Sequence, residues 1–491
     1  MVLGTTSGAG KSWLATALCR HYARQGLKVA PYKAQNMSNN ARVVAQGEIG
    51  SAQYFQALAA RAVPDVRMNP LLLKPEHDTH SQVVLLGQVD QTLSSMPWRG
   101  RSASVWPVLA NALDALRADN DVVVIEGAGS PAEINLHDSD VVNMRVALHA
   151  NAACLLVTDI DRGGAFAHLY GTWALLPAHE RALIKGFVLN KFRGDAALLA
   201  PAPEMLQQLT GVPTVATLPM WWQHGLPEED GMFDDRSLAT GSVTRTIAVI
   251  ACPRISNLDE FQPLNNIPGV RLLWARNPAQ LAGLDPATDW LILPGSKHTS
   301  GDLAWLRQQR LDHAIAQHAA RGGAVLGICG GLQMLGEALI DPHGIDGNAP
   351  GLGLLPLVTV FAPGKTVRHT QATFAADMAA GAPGSAWAAL AGVPVAGYEI
   401  HHGQTQQHAA MARAGDVARA VLPGGLGWLN PRGNVLGLYL HGLLEDPAVL
   451  HALFGAGAPT LDAVFDGLAD FVEQHFAPGI LAALIQPDPL A

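Results

Sequence analysis

Gly4-Thr-Thr-Ser-Gly8-Ala-Gly10-Lys11-Ser12 is the stretch that decides the fold of the first half of the chain. Glycines in such a loop let backbone N–H groups turn inward around phosphate oxygens, and the helix that follows adds its positive end. Lys11 is expected to reach the β- and γ-phosphates, and the Ser12 hydroxyl is expected to bind Mg²⁺. The sequence therefore predicts an ATP site whose residues are Gly4, Thr5, Thr6, Gly8, Gly10, Lys11 and Ser12.

Two features of this loop depart from the usual pattern. Gly4 lies one residue further from Gly10-Lys11-Ser12 than is common, and only Met1-Val-Leu3 precede the loop. Since a buried first strand has about five residues, either the strand is unusually short or the natural chain begins earlier. A glycine-rich turn with a chance Gly-Lys-Ser is the alternative interpretation.

Further along, short apolar runs end in polar residues. Val122–Ile125 runs into Glu126, and Gly186–Asn190 ends in an Asn, with a third run at 154–158. Runs of this kind, each followed by a helix-like segment, indicate parallel strands of a doubly wound α/β sheet. At the carboxyl edge of that sheet Glu126 is a candidate Mg²⁺ ligand and Asn190 is a candidate nucleobase contact. A solvated Glu and a turn-capping Asn are the alternatives.

The second half repeats the α/β rhythm and carries a candidate nucleophile. The strand Ala324–Ile328 runs into Cys329-Gly-Gly331 and then a helix-like segment. A strand–turn–helix elbow exposes its nucleophile in a strained position, and the positive end of the helix stabilises a thiolate. A buried structural Cys is the alternative. The turn at Gly295-Ser296, after the preceding strand, is a candidate oxyanion hole together with Gly330.

A thiolate nucleophile needs a base, and His441 ends an apolar run at 437–440. The competing cluster is His401-His402. Adjacent residues on an extended segment point to opposite faces, so only one of these two could line a site. A metal site there would lack further ligands at metal-like spacing.

Composition limits what the chain can be. It has 491 residues, 49% hydrophobic and 15% charged, with a net charge of -9. That is enough apolar material for full cores, and an acidic chain is a poor binder of nucleic acid or anionic membranes. Its four cysteines are spread out, which fits a reducing, cytoplasmic location. Neither a signal peptide nor a membrane span is expected. A polar stretch at 225–245 suggests a boundary near residue 240.

These residues, taken together, resemble the cobyric acid synthases, the glutamine-dependent enzymes of cobalamin biosynthesis. The resemblance spans nearly the whole chain. Besides the loop and elbow, the matching strings begin at Pro31, Glu48, Asn69, Glu126, Asp159, Gly186, Leu293, Gly397 and Tyr439.

The resemblance implies an α/β protein with two doubly wound domains. Residues 1–240 would be a dethiobiotin synthetase-like ATP-dependent amide synthase domain, and residues 241–491 a class I glutaminase domain. ATP, Mg²⁺ and glutamine would be used to amidate the b, d, e and g carboxylates of a corrinoid, adenosylcobyrinic acid a,c-diamide. Oligomeric state stays open, with a homodimer as one option.

Site roles follow from the same resemblance. Cys329 would be the nucleophile and His441 its base. The family lacks the Glu that other class I glutaminases carry two residues after the His, and Leu443 stands there in this chain. The third group is therefore unassigned, with Glu399 as a candidate. Further candidates, for which solvated loop residues are an equal interpretation, are Glu48 for metal and Lys74, Asp159 and Asp161 for substrate.

Two rival functions remain at this stage. Cobyrinic acid a,c-diamide synthase shares both domain types, although the strings at Lys33 and Asp161 favour cobyric acid synthase. A rival of another class is a P-loop switch ATPase with an inactive, partner-binding second domain, which predicts an inert Cys329.

Overall fold

The structure, a computed structural model, describes residues 1–77, 80–222, 224–227, 242–378, 380, 384–455 and 460–486. The predicted boundary near residue 240 lies outside these ranges, as does most of the polar stretch at 225–245.

Two compact units make up the chain, and neither is contiguous in sequence. The first contains Met1–Ser38, Val44–Asp230 and Thr460–Ala491, and the second contains Asn39–Val43 and Gly231–Pro459. These units do not coincide with the predicted division into 1–240 and 241–491. A five-residue piece of the N-terminal sequence belongs to the second unit, and the C-terminal segment belongs to the first.

The first unit is built on parallel strands, as predicted. Strand Cys154–Asp159 lies between Val2–Gly4 and Ile184–Phe192, and Thr214–Pro219 follows at the edge. Val29–Tyr32 and Val122–Ile125 form a parallel pair, which joins the sheet through a bridge between Val2 and Glu126.

Alternate residues of these strands pack into different hydrophobic cores. Leu155 and Val157 enter the cluster that contains the helix Lys11–Arg24, whereas Leu156 enters a second cluster with Phe187. Side chains of a strand alternate between faces, so strands with apolar residues on both faces must be covered by helices on both sides.

The first unit contains further strands, helices and turns. Its further strands are Gln35–Met37, Ala41–Val44 (shared with the second unit), Gly47–Gly50, Leu71–His77, His80–Leu85 and Gln88–Val89. Its helices are Lys11–Arg24, Ser51–Ala59, Gln91–Ser95, Trp98–Asp119, Met144–Ala150, Ala165–Leu175, Ala178–Arg181, Ala202–Thr210, Leu461–His475 and Ile480–Ala483. Short 3-10 turns occupy Ser7–Ala9, Val66–Met68, His137–Ser139 and Ala196–Leu199.

A seven-stranded sheet forms the centre of the second unit. Its strand order is Val270–Ala275, Arg245–Ile250, Trp290–Leu293, Ala324–Ile328, Val435–Leu438, Gly427–Leu429 and Arg419–Leu422. The first five strands are parallel, and the last two turn antiparallel. The carboxyl ends of the parallel strands therefore share one edge, which is where α/β sheets bind ligands.

Helices and smaller sheets complete this unit. The helices are Pro278–Leu281, Thr299–Gln308, Leu311–Ala320, Gly330–Leu335, Ala409–Arg413 and Pro447–Phe454. The 3-10 helices are Leu258–Asn266, Ala388–Leu390, Pro423–Gly425 and Leu443–Glu445. The other strands are Ile255–Ser256, Gly295–Ser296, Ala338–Ile340, Ala349–Pro350, Leu357–Thr373 and Pro394–Gln407. Within the described ranges, no helix of either unit is long and apolar enough to cross a membrane.

Candidate active sites

The elbow around Cys329 forms as the sequence predicts. Cys329 follows the strand Ala324–Ile328 and precedes the helix Gly330–Leu335, with φ 51° and ψ −103°. A positive φ is strained for a residue with a side chain and is tolerated where the surroundings enforce it. A Cβ on Gly331 would overlap the carbonyl oxygen of Leu293. The glycine at that position is therefore what lets the nucleophile turn come so close to the neighbouring strand.

His441 lies beside this nucleophile. Its side chain is 1% exposed and lies close to Cys329, which is itself 5% exposed and whose thiol donates to the carbonyl of Ile400 at 3.7 Å. The Nδ1 atom lies 3.1 Å from Oε1 of Glu260, whose other carboxylate oxygen accepts a 3.1 Å hydrogen bond from the backbone N–H of Gly442. Glu260 is 0% exposed. The three side chains thus form a connected Cys–His–Glu arrangement, the order in which a base and its orienting group activate a nucleophile.

The electrostatics of this arrangement favour a protonated imidazole. Burial alone lowers the pKa of His441, but the Glu260 carboxylate and the Cys329 sulfur outweigh it and raise the pKa to about 10. An imidazolium next to a thiol stabilises the thiolate. Glu260 therefore both orients the ring and stabilises its charge.

The three predicted oxyanion-hole residues lie around the nucleophile. A Cβ on Gly295 would come 2.8 Å from Cε1 of His441, and one on Gly330 would come 2.7 Å from the backbone nitrogen of Ser296. The Ser296 hydroxyl donates to Asp302 at 2.6 Å, which fixes that turn. Gly295, Ser296 and Gly330 thus lie beside His441 and Cys329, and their role as an oxyanion hole stays a prediction.

Glu399, the candidate for the third group, has other partners. Its carboxylate accepts hydrogen bonds from Arg368 at 2.6 Å and from Thr370, and it contacts Nε2 of His401 at 3.1 Å. Burial raises the pKa of Glu399, but these three partners outweigh it and lower the pKa to about 2. The prediction for Glu399 was wrong: Glu260, on a different element, holds His441.

The competing His pair is placed elsewhere. His401 lies against the ring of Tyr439, with centroids 3.9 Å apart, and His402 donates its Nδ1–H to the carbonyl of Ala362 at 3.2 Å. In the described parts of the chain, no group of three or more His, Cys, Asp or Glu could hold a metal ion.

In the first unit, the phosphate loop and its lysine are assembled. Lys11 is buried, and its Nζ donates to the carbonyls of Thr6 at 2.9 Å and Gly129 at 3.2 Å. Gly10 has φ 96°, and a Cβ there would overlap the amide of Asn190. That amide donates to the carbonyl of Ala9 at 2.9 Å. Asn190, predicted to contact a nucleobase, therefore supports the loop backbone in this structure.

The other loop residues are fixed by the sheet. Thr5 donates its backbone N–H to Val157 at 2.9 Å and its hydroxyl to Thr158 at 3.0 Å. The carbonyl of Gly8 accepts from Lys191 at 2.9 Å, and a Cβ on Gly4 would come 3.0 Å from the Lys11 side chain.

Ser12 and Glu126 meet, as the predicted Mg²⁺ site requires. The Ser12 hydroxyl donates to Oε1 of Glu126 at 2.7 Å, and Lys33 contacts the same oxygen at 2.9 Å. Burial raises the pKa of Glu126, but Lys33 and the hydrogen bonds from Gln56 and Ser12 outweigh it and bring the pKa below its usual value. An ionised carboxylate beside a hydroxyl is the hard oxygen set that suits Mg²⁺.

The remaining candidates form ion pairs. Asp159, at the end of its strand, lies 3.3 Å from Nζ of Lys191, which also contacts the loop. Asp161 pairs with Arg193 on the surface. Glu48 and Lys74 are both buried and pair with each other. The structure thus places Asp159 next to the phosphate loop and gives Glu48 and Lys74 each other as partners.

Two sequence families match the two halves of the chain. The CobQ/CobB/MinD/ParA nucleotide binding domain matches residues 1–227, and the CobB/CobQ-like glutamine amidotransferase domain matches residues 246–449. A cobyric acid synthase of Polaromonas naphthalenivorans is 78% identical over 99% of this chain and 99% of its own. One of Variovorax paradoxus is 77% identical over 99% of this chain and 98% of its own.

The chain belongs to the cobyric acid synthase family. Full-length similarity at this level does not favour the other two readings of the sequence, the a,c-diamide synthase and the switch ATPase. The two-domain α/β prediction is confirmed, and so is the glutamine amidotransferase assignment.

Glu260 is the functional residue of this family member that sequence reasoning missed. It lies 181 residues before its partner His441, on the 3-10 helix Leu258–Asn266. One weak signal existed: Asp259-Glu260 is an acidic pair that follows the first strand of the second unit and is flanked by Leu258 and Phe261. Acids that lie between apolar residues are candidates for a buried charge.

Proposed function

We propose that this chain catalyses ATP- and glutamine-dependent amidation of the b, d, e and g carboxylates of adenosylcobyrinic acid a,c-diamide, giving adenosylcobyric acid. The observation that carries the proposal is the buried Cys329–His441–Glu260 arrangement in a chain that also holds a phosphate loop with a facing carboxylate. Membership of the cobyric acid synthase family supports the choice of corrinoid.

The nitrogen is released in the second unit. The Cys329 thiolate attacks the amide carbon of glutamine, and backbone groups at Gly295–Ser296 and Gly330 stabilise the oxyanion. As the C–N bond breaks, the His441 imidazolium gives its proton to the departing nitrogen, which leaves as ammonia. A thioester to Cys329 remains, and water deprotonated by His441 hydrolyses it to glutamate. Glu260 stabilises the charge of the imidazolium through both halves of the reaction.

The carboxylate is activated in the first unit. A carboxylate oxygen is a poor leaving group, so it must first take the γ-phosphoryl group of ATP to form an acyl phosphate. Lys11 would leave its contacts with the carbonyls of Thr6 and Gly129 to reach the phosphates, where it spreads the developing charge. Ser12 and Glu126 would hold Mg²⁺, which neutralises phosphate charge when bound. Ammonia then attacks the acyl carbon and phosphate leaves.

Product analysis with isotopically labelled glutamine tests this function. The chain is incubated with ATP, Mg²⁺ and glutamine labelled with ¹⁵N in the amide, and with either adenosylcobyrinic acid a,c-diamide or cobyrinic acid. We expect the a,c-diamide to gain a labelled amide at each of the b, d, e and g positions by mass spectrometry, and the cobyrinic acid to gain none at a and c. Amidation of cobyrinic acid at a and c would instead assign the chain the activity of a cobyrinic acid a,c-diamide synthase. ATP hydrolysis without amidation of either corrinoid would overturn the proposal.

A further inference from the structure

Five residues of the N-terminal sequence belong to the glutaminase unit. Asn39–Val43 is part of the second unit, although Ser38 before it and Val44 after it belong to the first. The segment lies outside residues 246–449, which match the glutamine amidotransferase family. Its contacts show what it does there.

Two hydrogen bonds from this segment hold the start of the helix that carries Glu260. The side-chain oxygen of Asn40 accepts from the backbone N–H of Leu258 at 2.9 Å. The backbone N–H of Ala41 donates to the side-chain oxygen of Asn257 at 2.9 Å. Asn257 has φ 55°, a conformation that needs support from its surroundings. The segment therefore fixes the two residues at which the 3-10 helix Leu258–Asn266 begins.

Arg42 extends the same support to the acids around Glu260. Its guanidinium pairs with Asp259, the residue before Glu260, and forms two hydrogen bonds to Glu445, at 2.7 and 2.5 Å. The Arg42 side chain is 3% exposed. Bidentate pairing of this kind fixes geometry as well as charge, because the planar fork of arginine matches a carboxylate.

Arg42 also contacts the residue that lies against the base. Its guanidinium carbon is 5.2 Å from the ring centroid of Tyr398. The Tyr398 ring is stacked on the His441 ring, with centroids 5.3 Å apart and planes 18° apart. The backbones of these two residues exchange hydrogen bonds of 2.9 and 3.2 Å. Arg42 thus contacts both supports of the imidazole: the tyrosine on its face and the acidic helix at its Nδ1.

Arg42 also balances the negative charge of the carboxylates around it. Asp259 and Glu260 are buried and Glu445 is partly buried, so three carboxylates lie near Arg42 and its neighbours. Burial raises the pKa of Glu445, and Arg42 opposes that rise. Removing one partner of a buried ion pair leaves an uncompensated charge, which the surrounding structure relieves by moving or by changing protonation. Either response would disturb the helix on which Glu260 sits.

We propose that Arg42 is a positioning residue for glutamine hydrolysis: through Asp259, Glu445 and Tyr398 it holds Glu260 and His441 in the geometry that serves Cys329. The proposal rests on the proposed function for the role of Cys329 and His441. It also makes the glutaminase depend on five residues from the N-terminal part of the chain.

The test uses the full chain and compares two nitrogen sources. Arg42→Met, Arg42→Lys and wild type are assayed for glutamine hydrolysis and for ammonia-dependent amidation of the corrinoid. Arg20→Met is the matched control, because Arg20 is a fully buried arginine paired with Asp462 in the first unit. We expect Arg42→Met to lower kcat for glutamine hydrolysis about 10- to 100-fold with little change in KM, since a misplaced base slows chemistry more than binding. Arg42→Lys should recover part of the loss, and Arg20→Met should leave glutamine hydrolysis near wild type.

A double variant separates positioning from general damage. In Arg42→Met with Glu445→Gln, one unpaired carboxylate is removed, and we expect part of the lost kcat to return while ammonia-dependent amidation stays near wild type in all Arg42 variants. Unchanged glutamine hydrolysis in Arg42→Met, or an equal loss of both activities without rescue in the double variant, would overturn the proposal. Wild type that hydrolyses glutamine but amidates no corrinoid would count against the proposed function alone, because the Arg42 comparison rests on glutamine hydrolysis.

Discussion

The glutaminase centre and the phosphate loop both lie where a strand turns into a helix, yet their charged groups are arranged in opposite ways. His441 lies beside Cys329 and contacts Glu260, so the three groups are already in series. Lys11 instead contacts the carbonyl of Thr6 in its own loop and the carbonyl of Gly129, and Glu126 is paired with Lys33.

This difference follows from the chemistry at each place. A covalent nucleophile needs its base at hydrogen-bond distance, and that geometry can be built from side chains alone. A phosphate site gathers positive charge for a ligand that brings its own negative charge, so its cation must have interim partners that it can leave. We therefore expect substitutions at the phosphate loop to change the ATP-dependent step. Substitutions at the glutaminase centre should change glutamine hydrolysis.

Among the substitutions that test the difference between the two sites, Lys11→Met should have the largest effect. Lys11→Met removes the cation that spreads charge on the transferred phosphoryl group, and we expect amidation with either glutamine or ammonia to fall about 10³-fold. Glutamine hydrolysis should stay close to wild type. Lys185→Met, which changes an exposed lysine of the same unit, is the matched control. Comparable loss of glutamine hydrolysis in Lys11→Met would contradict the separation of the two sites.

Glu260→Gln tests whether the glutaminase arrangement depends on its third member. Gln keeps the size of the side chain but loses the charge that stabilises the imidazolium, so we expect kcat for glutamine hydrolysis to fall about 10²-fold. Glu399→Gln is the control that the sequence itself suggests, and its effect should be at least tenfold smaller. If Glu399→Gln were the more damaging of the two in steady-state assays, the assignment of Glu260 would fail.

Local sequence was enough to predict the elbow and the phosphate loop, because each is a strand, a turn and a helix in direct succession. Glu260 and Arg42 could not be found in this way. Glu260 is 181 residues from His441, and Arg42 is 403 residues from Glu445. Their roles depend on which distant elements meet, and the sequence pattern predicts elements better than it predicts their contacts.

The role of Asn190 could not be predicted from the sequence for a different reason. Asn190 lies in the strand Ile184–Phe192, which continues beyond the predicted end at Asn190, and an amide at a ligand edge can serve either a nucleobase or the protein backbone. In this structure the amide donates to the carbonyl of Ala9, beside Gly10, and its contact with a nucleobase stays a prediction.

Asn190→Ala should therefore give a modest effect on the loop. Loss of the hydrogen bond to Ala9 costs about 1 kcal/mol, and we expect KM for ATP to rise roughly fivefold. The preference for ATP over GTP should not change, because the amide supports the backbone. Steady-state kinetics with both nucleotides measure this preference. A variant that uses GTP as well as ATP would show that Asn190 contacts the nucleobase.

The smallest expected effect concerns stability against pH. The pKa of His441 is raised from 6.5 to about 10 in the folded chain. The charged imidazole therefore stabilises the folded state fully below pH 6.5, and this contribution is lost as the pH rises through about 10. Glu260→Gln should lower Tm by about 2–4 °C at acidic to neutral pH, and the gap to wild type should narrow toward about pH 10. Calorimetry or thermal melts across this range measure it. A gap that widens with pH would mean that Glu260 does not stabilise the charged imidazole.

The most direct test of the division of labour is the ratio of glutamine-dependent to ammonia-dependent amidation in Cys329→Ala. Cys252→Ala is its control, since Cys252 is a buried cysteine of the same unit that the mechanism does not use. We predict that Cys329→Ala abolishes amidation with glutamine and retains amidation with ammonia, while Cys252→Ala keeps the wild-type ratio. Amidation from glutamine that survives in Cys329→Ala, or ammonia-dependent amidation that disappears with it, would contradict the account.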